Sequence, residues 1–498
     1  MTRPIGARLA PALLCAALAS CAVGPDFHRP TRPAAPDYGA ARMQPHDSAQ
    51  DFVKGQDIPG QWWTLFHSPA LNALIDRALA ANPTLQSAQA ALVQARENLY
   101  AQEGNFFPDI TATFEPSRNK TATRSVSIAS ASGSPYYTLY TAQLGISYTP
   151  DVFGGIRRQV ENLAATAESQ RFQLEATYLT LTSNLVAAAI NEASLRAQIA
   201  ATTKIITAET DLLGILKKQL AVGQVAEVDM LAQQAALAAA QATLPPLRKQ
   251  LDQQRDAIAA YIGTTPDQAI PQSFVLDQIG LPKSVPVSIP AALVDQRPDI
   301  RQAEENLHAA SAAVGVAVAN RLPTLTLSAY GGSESNFFRD LFASGNGFWT
   351  IAASLSQPVF DGGTLLHKAR AARAALDQAA AQYRNTVLTA FQNVADSLAA
   401  LQADADALTA ASSAQQAASE TLGIVKLQVS QGQVAYLGIL SAQQTALQAE
   451  LTLAQAKASR LADTAALFQA MGGGWWHRQD SEVRDIKGND PLAIIGIH

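Results

Sequence analysis

Two spacings of apolar residues take turns along this chain. The first has period two. In residues 140–149, Tyr140, Ala142, Leu144, Ile146 and Tyr148 fall on one side, and Thr141, Gln143, Gly145, Ser147 and Thr149 on the other. Residues 109–115 repeat the pattern, with Ile110, Ala112 and Phe114 opposed to Thr111, Thr113 and Glu115. Further on, Leu325, Leu327 and Ala329 oppose Thr324, Thr326 and Ser328. Trp349, Ile351, Ala353 and Leu355 oppose Thr350, Ala352, Ser354 and Ser356. Such alternation gives a strand one apolar and one small, polar face. Two strand pairs are expected, within 109–149 and 323–357, joined by the Ser/Gly-rich stretches 116–138 and 331–347.

The second spacing is helical. No proline lies between Pro150 and Pro245 or between Pro358 and Pro491, and interior proline is what breaks a long helix. In the first gap Leu174, Tyr178, Leu181, Leu185, Ala188, Leu195 and Ile199 recur mostly at steps of four and three. In the second, Tyr383, Val387, Phe391, Val394, Leu398 and Leu401 do the same. These are nearly heptad seams. A helix from about 155 to about 220 would be ~100 Å long at 1.5 Å per residue. Gly223 and Gly432 stand where each long helix should turn back. Returning helices are expected at roughly 227–262 and 436–470, the first interrupted and bent at Pro245-Pro246.

The two halves are copies. Across 213–234 and 422–443, 11 of 22 positions are identical without a gap. Gly223-Gln224-Val225-Ala226 is echoed by Gly432-Gln433-Val434-Ala435. A long two-copy repeat indicates a duplicated half and not a short-period solenoid. The expected divisions are a signal peptide at 1–20, an anchor, extended strap and collar segment at 21–68, a first repeat at 69–263 and a linker at 264–289. A second repeat at 290–471 and a tail at 472–498 complete the chain.

Period-two segments of this length suit membrane barrel strands, although two soluble hairpins would show the same alternation. Four strands cannot close a barrel, since known membrane barrels start at about eight. Several copies would have to contribute, and three copies of four strands make twelve, a natural closure under threefold symmetry.

The N-terminus bears on location. Arg3 and Arg8 precede the short apolar run Leu9 to Leu18, which ends in Leu18-Ala19-Ser20-Cys21. That arrangement resembles a bacterial lipobox, with cleavage before Cys21 and lipid (diacylglyceryl and N-acyl) on its sulfur and amine; a plain signal peptide is the alternative. Ala22 after the cysteine, in place of Asp, resembles lipoproteins exported to the outer membrane. Cys15 lies in the removed segment, so a disulfide within one mature chain is excluded. The composition adds exclusions. Only 15% of residues are charged and the net charge is −5, which argues against nucleic acid as a partner. No apolar stretch long enough for a transmembrane helix follows Cys21. The seven histidines are scattered, and there is no HExxH, phosphate loop or GxSxG. No catalytic residue, metal ligand or cofactor is expected.

Five segments, in this order, resemble the TolC-like outer-membrane factor family in its NodT-type lipoprotein branch. They are Cys21-Ala22-Val23-Gly24-Pro25-Asp26-Phe27, Trp62-Trp63-Thr64-Leu65-Phe66, Gln296 through Glu304, Pro358-Val359-Phe360-Asp361-Gly362-Gly363, and Gly472-Gly473-Gly474-Trp475. The resemblance implies an α+β membrane protein and a homotrimer. Its long helical hairpins would form a periplasmic α-barrel, its strands a 12-stranded outer-membrane β-barrel, and three segments, roughly 50–70, 264–290 and the C-terminal tail, an equatorial collar around the α-barrel. It implies the passive exit duct of a tripartite efflux pump, passing small toxic or amphiphilic compounds. The partners implied are a periplasmic adaptor, an inner-membrane transporter of the RND type and outer-membrane lipid. A duct for protein secretion keeps the fold and changes the cargo, and a pore-free periplasmic coiled-coil scaffold is the rival of another class.

The candidate sites cluster at the helix turns. Gly223, Gln224 and Val225, with Gly432, Gln433 and Val434, are candidates for adaptor docking, although glycine also simply supplies a tight turn. The resemblance implies acids around a tip aperture. The second hairpin has none between Glu420 and Glu450, with Gly438 and Ser441 where one would be expected. Glu227 and Asp229 are therefore the candidate aperture acids, set against the simpler role of stabilising a helix start. Arg297-Pro298-Asp299 reads as a helix start, and the Trp pairs at 62–63 and 475–476 as collar packing.

Overall fold

The computed structural model describes residues 22–31, 50–120, 136–268, 271–287, 290–434 and 436–478. The lipobox with Cys21, part of the strap, Ala435 and most of the C-terminal tail lie outside them. In chain order the elements are β1 (Asp51–Lys54), α1 (Pro69–Ala81), α2 (Pro83–Glu103), β2 (Asp109–Lys120), β3 (Tyr136–Tyr148), α3 (Gly155–Ala221) and α4 (Glu227–Tyr261). The second half runs β4 (Ser284–Val287), α5 (Pro290–Gln296), α6 (Pro298–Ala319), β5 (Thr324–Ser335), β6 (Gly347–Ser356), α7 (Thr364–Ser430) and α8 (Tyr436–Ala470). The halves match element for element: both long helices have 67 residues and both returning helices 35. The expected helix boundaries hold to a residue or so. Pro245 and Pro246, expected to interrupt α4, instead lie inside one assigned helix. They are solvent-facing, where a missing N–H leaves no buried carbonyl stranded.

The described residues divide into two compact units, each delimited by its outer bounds. The first comprises 1–30, 92–170 and 303–383 and holds a four-stranded antiparallel sheet of order β2-β3-β5-β6. Register sets Ile110, Ile146, Ala329 and Ile351 in one row and Thr111, Gly145, Tyr330 and Thr350 in the next. The alternation thus adds up across the sheet to one apolar and one mainly polar face. The strands are longer than the alternation indicates: β2 continues to Lys120 and β5 to Ser335. Tyr330 departs from the pattern by joining the polar face. Its ring lies over Gly145, where an added Cβ would meet it at 3.2 Å. In the loop between β5 and β6, Phe338 packs edge-on to Phe114 and Tyr140 at 6.1 and 5.7 Å.

The second unit comprises 31–91, 171–302 and 384–498. Its core is aromatic: Trp62, Trp63, Phe66 and Phe468 are at most 1% exposed, with Trp62 5.6 Å from Phe468. The seam residues Leu185, Val394 and Leu398 are fully buried. β1 pairs in parallel with β4, joining two of the segments expected to build a collar. The third, at Gly472-Gly473-Gly474-Trp475, turns under constraint. All three glycines have positive φ, and an added Cβ would strike Gln296, Leu179 or Ile58 in turn. Trp475 then donates to the Gln296 carbonyl at 2.6 Å. The Trp pairs are packing residues, as expected.

Each long helix starts on an aspartate. Asp151 accepts from the N–H groups of Ile156 and Arg157 at 3.0 and 2.8 Å. Asp361 accepts from Gly363 and Leu365 at 2.8 and 2.7 Å, and these backbone donors hold its carboxyl below the usual range. Replacing Asp151 by Ala strands two N–H groups and is expected to cost about 1 kcal/mol. A thermal melt of the purified protein checks this, with Asp151→Asn predicted to lose less.

Candidate functional site

The two hairpin turns carry the same backbone device. Gly223 has φ +75° and Gly432 φ +70°. At the first turn Gln224 N–H donates to Gln219 and Gly223 N–H to Leu220, at 2.9 and 3.0 Å. At the second, Gln433 N–H donates to Gln428 and Gly432 N–H to Val429, at the same distances. This paired closure ends a helix on a left-handed residue, for which glycine is the residue without a Cβ penalty. Nothing lies within 4 Å of where a Cβ would sit on either glycine, so conformation and not crowding selects glycine here.

Behind the turns lies a small apolar knot. Leu212 and Leu216 of α3 and Ile439 of α8 are buried together, with Val225, Val425 and Val429 packed on them. Other apolar side chains near the turns face outward: Ile215, Val222, Val228 and Leu231 on the first hairpin, and Ile424, Leu427 and Val434 on the second. The sequence-predicted turn residues therefore split. Val225 seals the knot, whereas Gln224, Gln433 and Val434 are exposed.

Glu227 and Asp229 lie in the first turn of α4. Glu227 is exposed and Asp229 half-buried. The residue at the cap position is Ala226, and it makes no side-chain capping bond. The simpler role weighed for these acids is thus narrowed to a charge near the positive helix end, worth under ~1 kcal/mol at the surface.

Higher in the hairpins the polar groups are buried and paired. Glu192, 0% exposed, receives Arg196 and Arg255 at 2.7 and 2.9 Å, tying α3 to α4. A cavity of about 560 Å³ opens between α3, α4 and α8, lined by Gln198, Gln250, Gln253, Gln254, Gln455 and Asp463 among others. Near it, burial, then a hydrogen bond to Asp463 and that group's charge, push Asp404 up to about 6, while Arg460 pulls it down.

In the first unit the segment after Cys21 is clamped, which the sequence reading of an extended strap did not foresee. Val23 N–H donates to the Phe153 carbonyl at 3.1 Å. Arg158, 5% exposed, pairs with Asp26 at 2.6 Å and Glu161 at 2.7 Å. The Arg158 hydrogen bond, then its charge, lower the Asp26 carboxyl. Phe27 stacks on His308 at 4.3 Å, and Arg29 reaches Glu304 at 2.7 Å. In the second unit, Arg297 pairs with Asp299 at 2.6 Å at the start of α6, the structural role expected.

Among the described residues no helix is long and apolar enough to cross a membrane, and no cluster of three or more His, Cys, Asp or Glu side chains could hold a metal ion. The sheet is a different matter. Its apolar row is exposed, with Trp349 and Ile351 each at 76%, and among the described residues its rim strands β2 and β6 each have one unpaired edge.

The family model described as outer membrane efflux protein matches residues 74–264 and 289–473, one segment in each half. The chain belongs to the outer membrane efflux protein family. It is 27% identical over 482 residues to the toluene efflux pump outer membrane protein TtgC of Pseudomonas putida, covering 95% of this chain and 97% of the relative. Among solved structures, the outer-membrane channel OprN aligns with a TM-score of 0.82 at 26% identity, over 91% of this chain and all of that one. The open state of the Neisseria gonorrhoeae MtrE outer membrane channel aligns with a TM-score of 0.80 at 25% identity, over 93% of this chain and all of that one. The resemblance to the TolC-like outer-membrane factor family read from the motifs is thereby shown, and with it the fold and a role in efflux at the outer membrane.

The Asp404 carboxyl yields a pH dependence. Because its folded value is raised, the charge penalty is absent in acid, grows from about pH 4 and is complete above about 6. Asp404→Asn is expected to melt higher than the wild type near neutral pH, with the difference closing in acid. Parallel melts across pH check this.

Proposed function

We propose that three copies of the chain close one barrel in the outer membrane and act as the passive exit duct of a tripartite efflux pump. The observation that carries this reading is the sheet of four strands. One face is apolar and exposed, the other is mainly Thr, Ser and Gly, and both rims are unpaired among the described residues. β2 and β3 have 12 and 13 residues, enough for the 9–11 that a tilted strand needs to cross the hydrocarbon. Pairing β2 of one copy with β6 of the next satisfies both rims. Twelve strands result from three copies of four, and the polar faces line a wet lumen. The hairpins extend the duct into the periplasm.

The cargo class is small toxic or amphiphilic compounds; the name of the Pseudomonas putida relative, a toluene efflux pump protein, supports it. The exposed apolar residues around the two turns offer an adaptor helix its contacts, with Gly223, Gln224, Gly432 and Gln433 giving close backbone approach. The adaptor joins the duct to an energised inner-membrane transporter of the RND type. Lipid on Cys21 is the remaining attachment. Ala22 packs on Gly154, where an added Cβ would lie 2.6 Å from the Ala22 Cα. That contact is a few residues past the end of β3, which suits a lipid attachment close to the strands. Their role is to support the anchoring that the strands supply. No cofactor or catalytic step belongs to this reading.

Single-channel recording of the full-length protein in planar bilayers tests it. Discrete steps with a preference for cations are expected. Glu227→Gln with Asp229→Asn should remove the preference and leave the steps, because a carboxylate ring attracts cations electrostatically. A preference unchanged by the substitutions returns both acids to the helix start, and a protein inert as a confirmed trimer at every voltage and pH overturns the duct.

A further inference from the structure

Three buried polar side chains come from the helices just behind the apolar knot. Glu209 of α3, Gln233 of α4 and Gln443 of α8 are each 2% exposed. Gln233 is accounted for in part, since its amide donates to the Glu209 carbonyl at 3.2 Å. The other two side chains each leave an oxygen without a partner: Glu209 Oε2 and Gln443 Oε1 are both buried and unbonded.

Cross-contacts set the two oxygens in one layer. α3 and α8 run antiparallel and meet step by step. Gln198 is opposite Gln455, Lys204 opposite Glu450, and Leu212 and Leu216 opposite Ile439. Between the last two of these contacts, the register sets Glu209 against Gln443. A buried carboxylate oxygen left without a donor in a dry layer is an unfavourable arrangement. A proton on Glu209 resolves it, because a neutral carboxylic acid donates where a carboxylate can only accept; a Gln443 amide turned over would donate instead, and a melting difference flat with pH is what that arrangement predicts.

We propose that Glu209 is a proton-carrying latch between the two helical hairpins: neutral, it donates to the Gln443 side-chain oxygen and holds α3 against α8; ionised, it destabilises the layer and frees the hairpins to part. The proton exchanges with bulk water. The surroundings offer no competing charge. There is no charged residue or histidine at 230–247 of α4, 436–449 of α8 or 407–419 of α7. On α3 the nearest charges are Lys204 and Asp211, and beyond the cleared stretches stand Asp229, Glu420, Lys426 and Glu450. Lys204, Asp211, Glu420 and Lys426 are solvent-facing. Burial raises the Glu209 carboxyl above the usual glutamate range, in the direction the latch requires. The folded state then keeps its proton where the unfolded or parted state has lost it. Stability falls as the pH climbs from the ordinary glutamate value to the folded one, and alkaline conditions favour parting.

That the latch gates a duct rests on the function proposed above; that it joins two hairpins does not, and two readouts separate these claims. In thermal melts of the full-length protein, Glu209→Gln keeps a donor at every pH. The wild type should lose melting temperature relative to this variant as the pH rises, with other titrating groups cancelling in the difference. Gln443→Glu sets two carboxyls to share one proton and should move the midpoint of the wild-type loss up by about one pH unit, a tenfold gain in proton affinity. In planar bilayers the open probability of the wild type should rise with pH, while Glu209→Gln stays at the acid level.

A melting difference that is flat with pH, or that follows sodium or potassium concentration and not pH, overturns the proton latch. A Glu209→Gln channel that opens with the wild-type pH profile overturns its gating role. If the melts behave as expected but no conductance appears at any pH, the latch stands and the duct reading falls.

Discussion

A strand at the rim of a sheet carries a row of N–H and C=O groups, and in hydrocarbon no water is at hand to satisfy them. The rest of this protein follows from that constraint. Its sheet has four strands and two rims, and its exposed apolar face suits lipid better than water. Neither rim strand is short, and β6 has no proline; the one in β2, Pro116, lies beyond the apolar stretch from Ile110 to Phe114, so the usual defences of an edge left to solvent are largely missing. A chain built this way completes its hydrogen bonding by meeting copies of itself. In the proposed threefold closure each residue recurs around one axis, so single residues near it would act collectively.

Duplication explains how one chain supplies both a sheet and two hairpins. Each half contributes two strands, a 67-residue helix and a 35-residue return. Each long helix begins on an aspartate that caps it and ends on a glycine that reverses it. The copies have diverged where they face different tasks. The first return starts with Glu227 and Asp229, whereas the second starts with Tyr436 and has no acid until Glu450. Burial varies along the seams as well. The aliphatic layers bind the helices without direction, whereas the polar layers, Glu192 with its arginines and Glu209 with Gln233, specify partners.

Much of this architecture was legible in the sequence because the periods are clean. Alternation at Tyr140 to Tyr148 found a strand, and the absence of proline after Pro150 found a long helix. What was missed has physical reasons. The strands run on past the alternation because Ser117, Arg118, Asn119 and Lys120 are polar on both faces. Pro245-Pro246 did not break α4 because a solvent-facing turn tolerates two missing donors. The clamp on residues 22–30 depends on Arg158 meeting Asp26 from 132 positions away, which no local pattern records. Glu209 was readable in principle. It falls on the seam with Thr202, Ile205, Leu212 and Leu216, at steps of three and four, where an acid is out of place. Its partner Gln443 could be found only from the register of two helices.

The most direct test is the native mass of the full-length protein extracted in mild detergent. The account predicts a particle of three copies, resistant to dilution because rim-to-rim hydrogen bonds in an apolar surround do not exchange with water. A folded monomer with its strand content intact would show that the rims need no partner and contradict the account at its base.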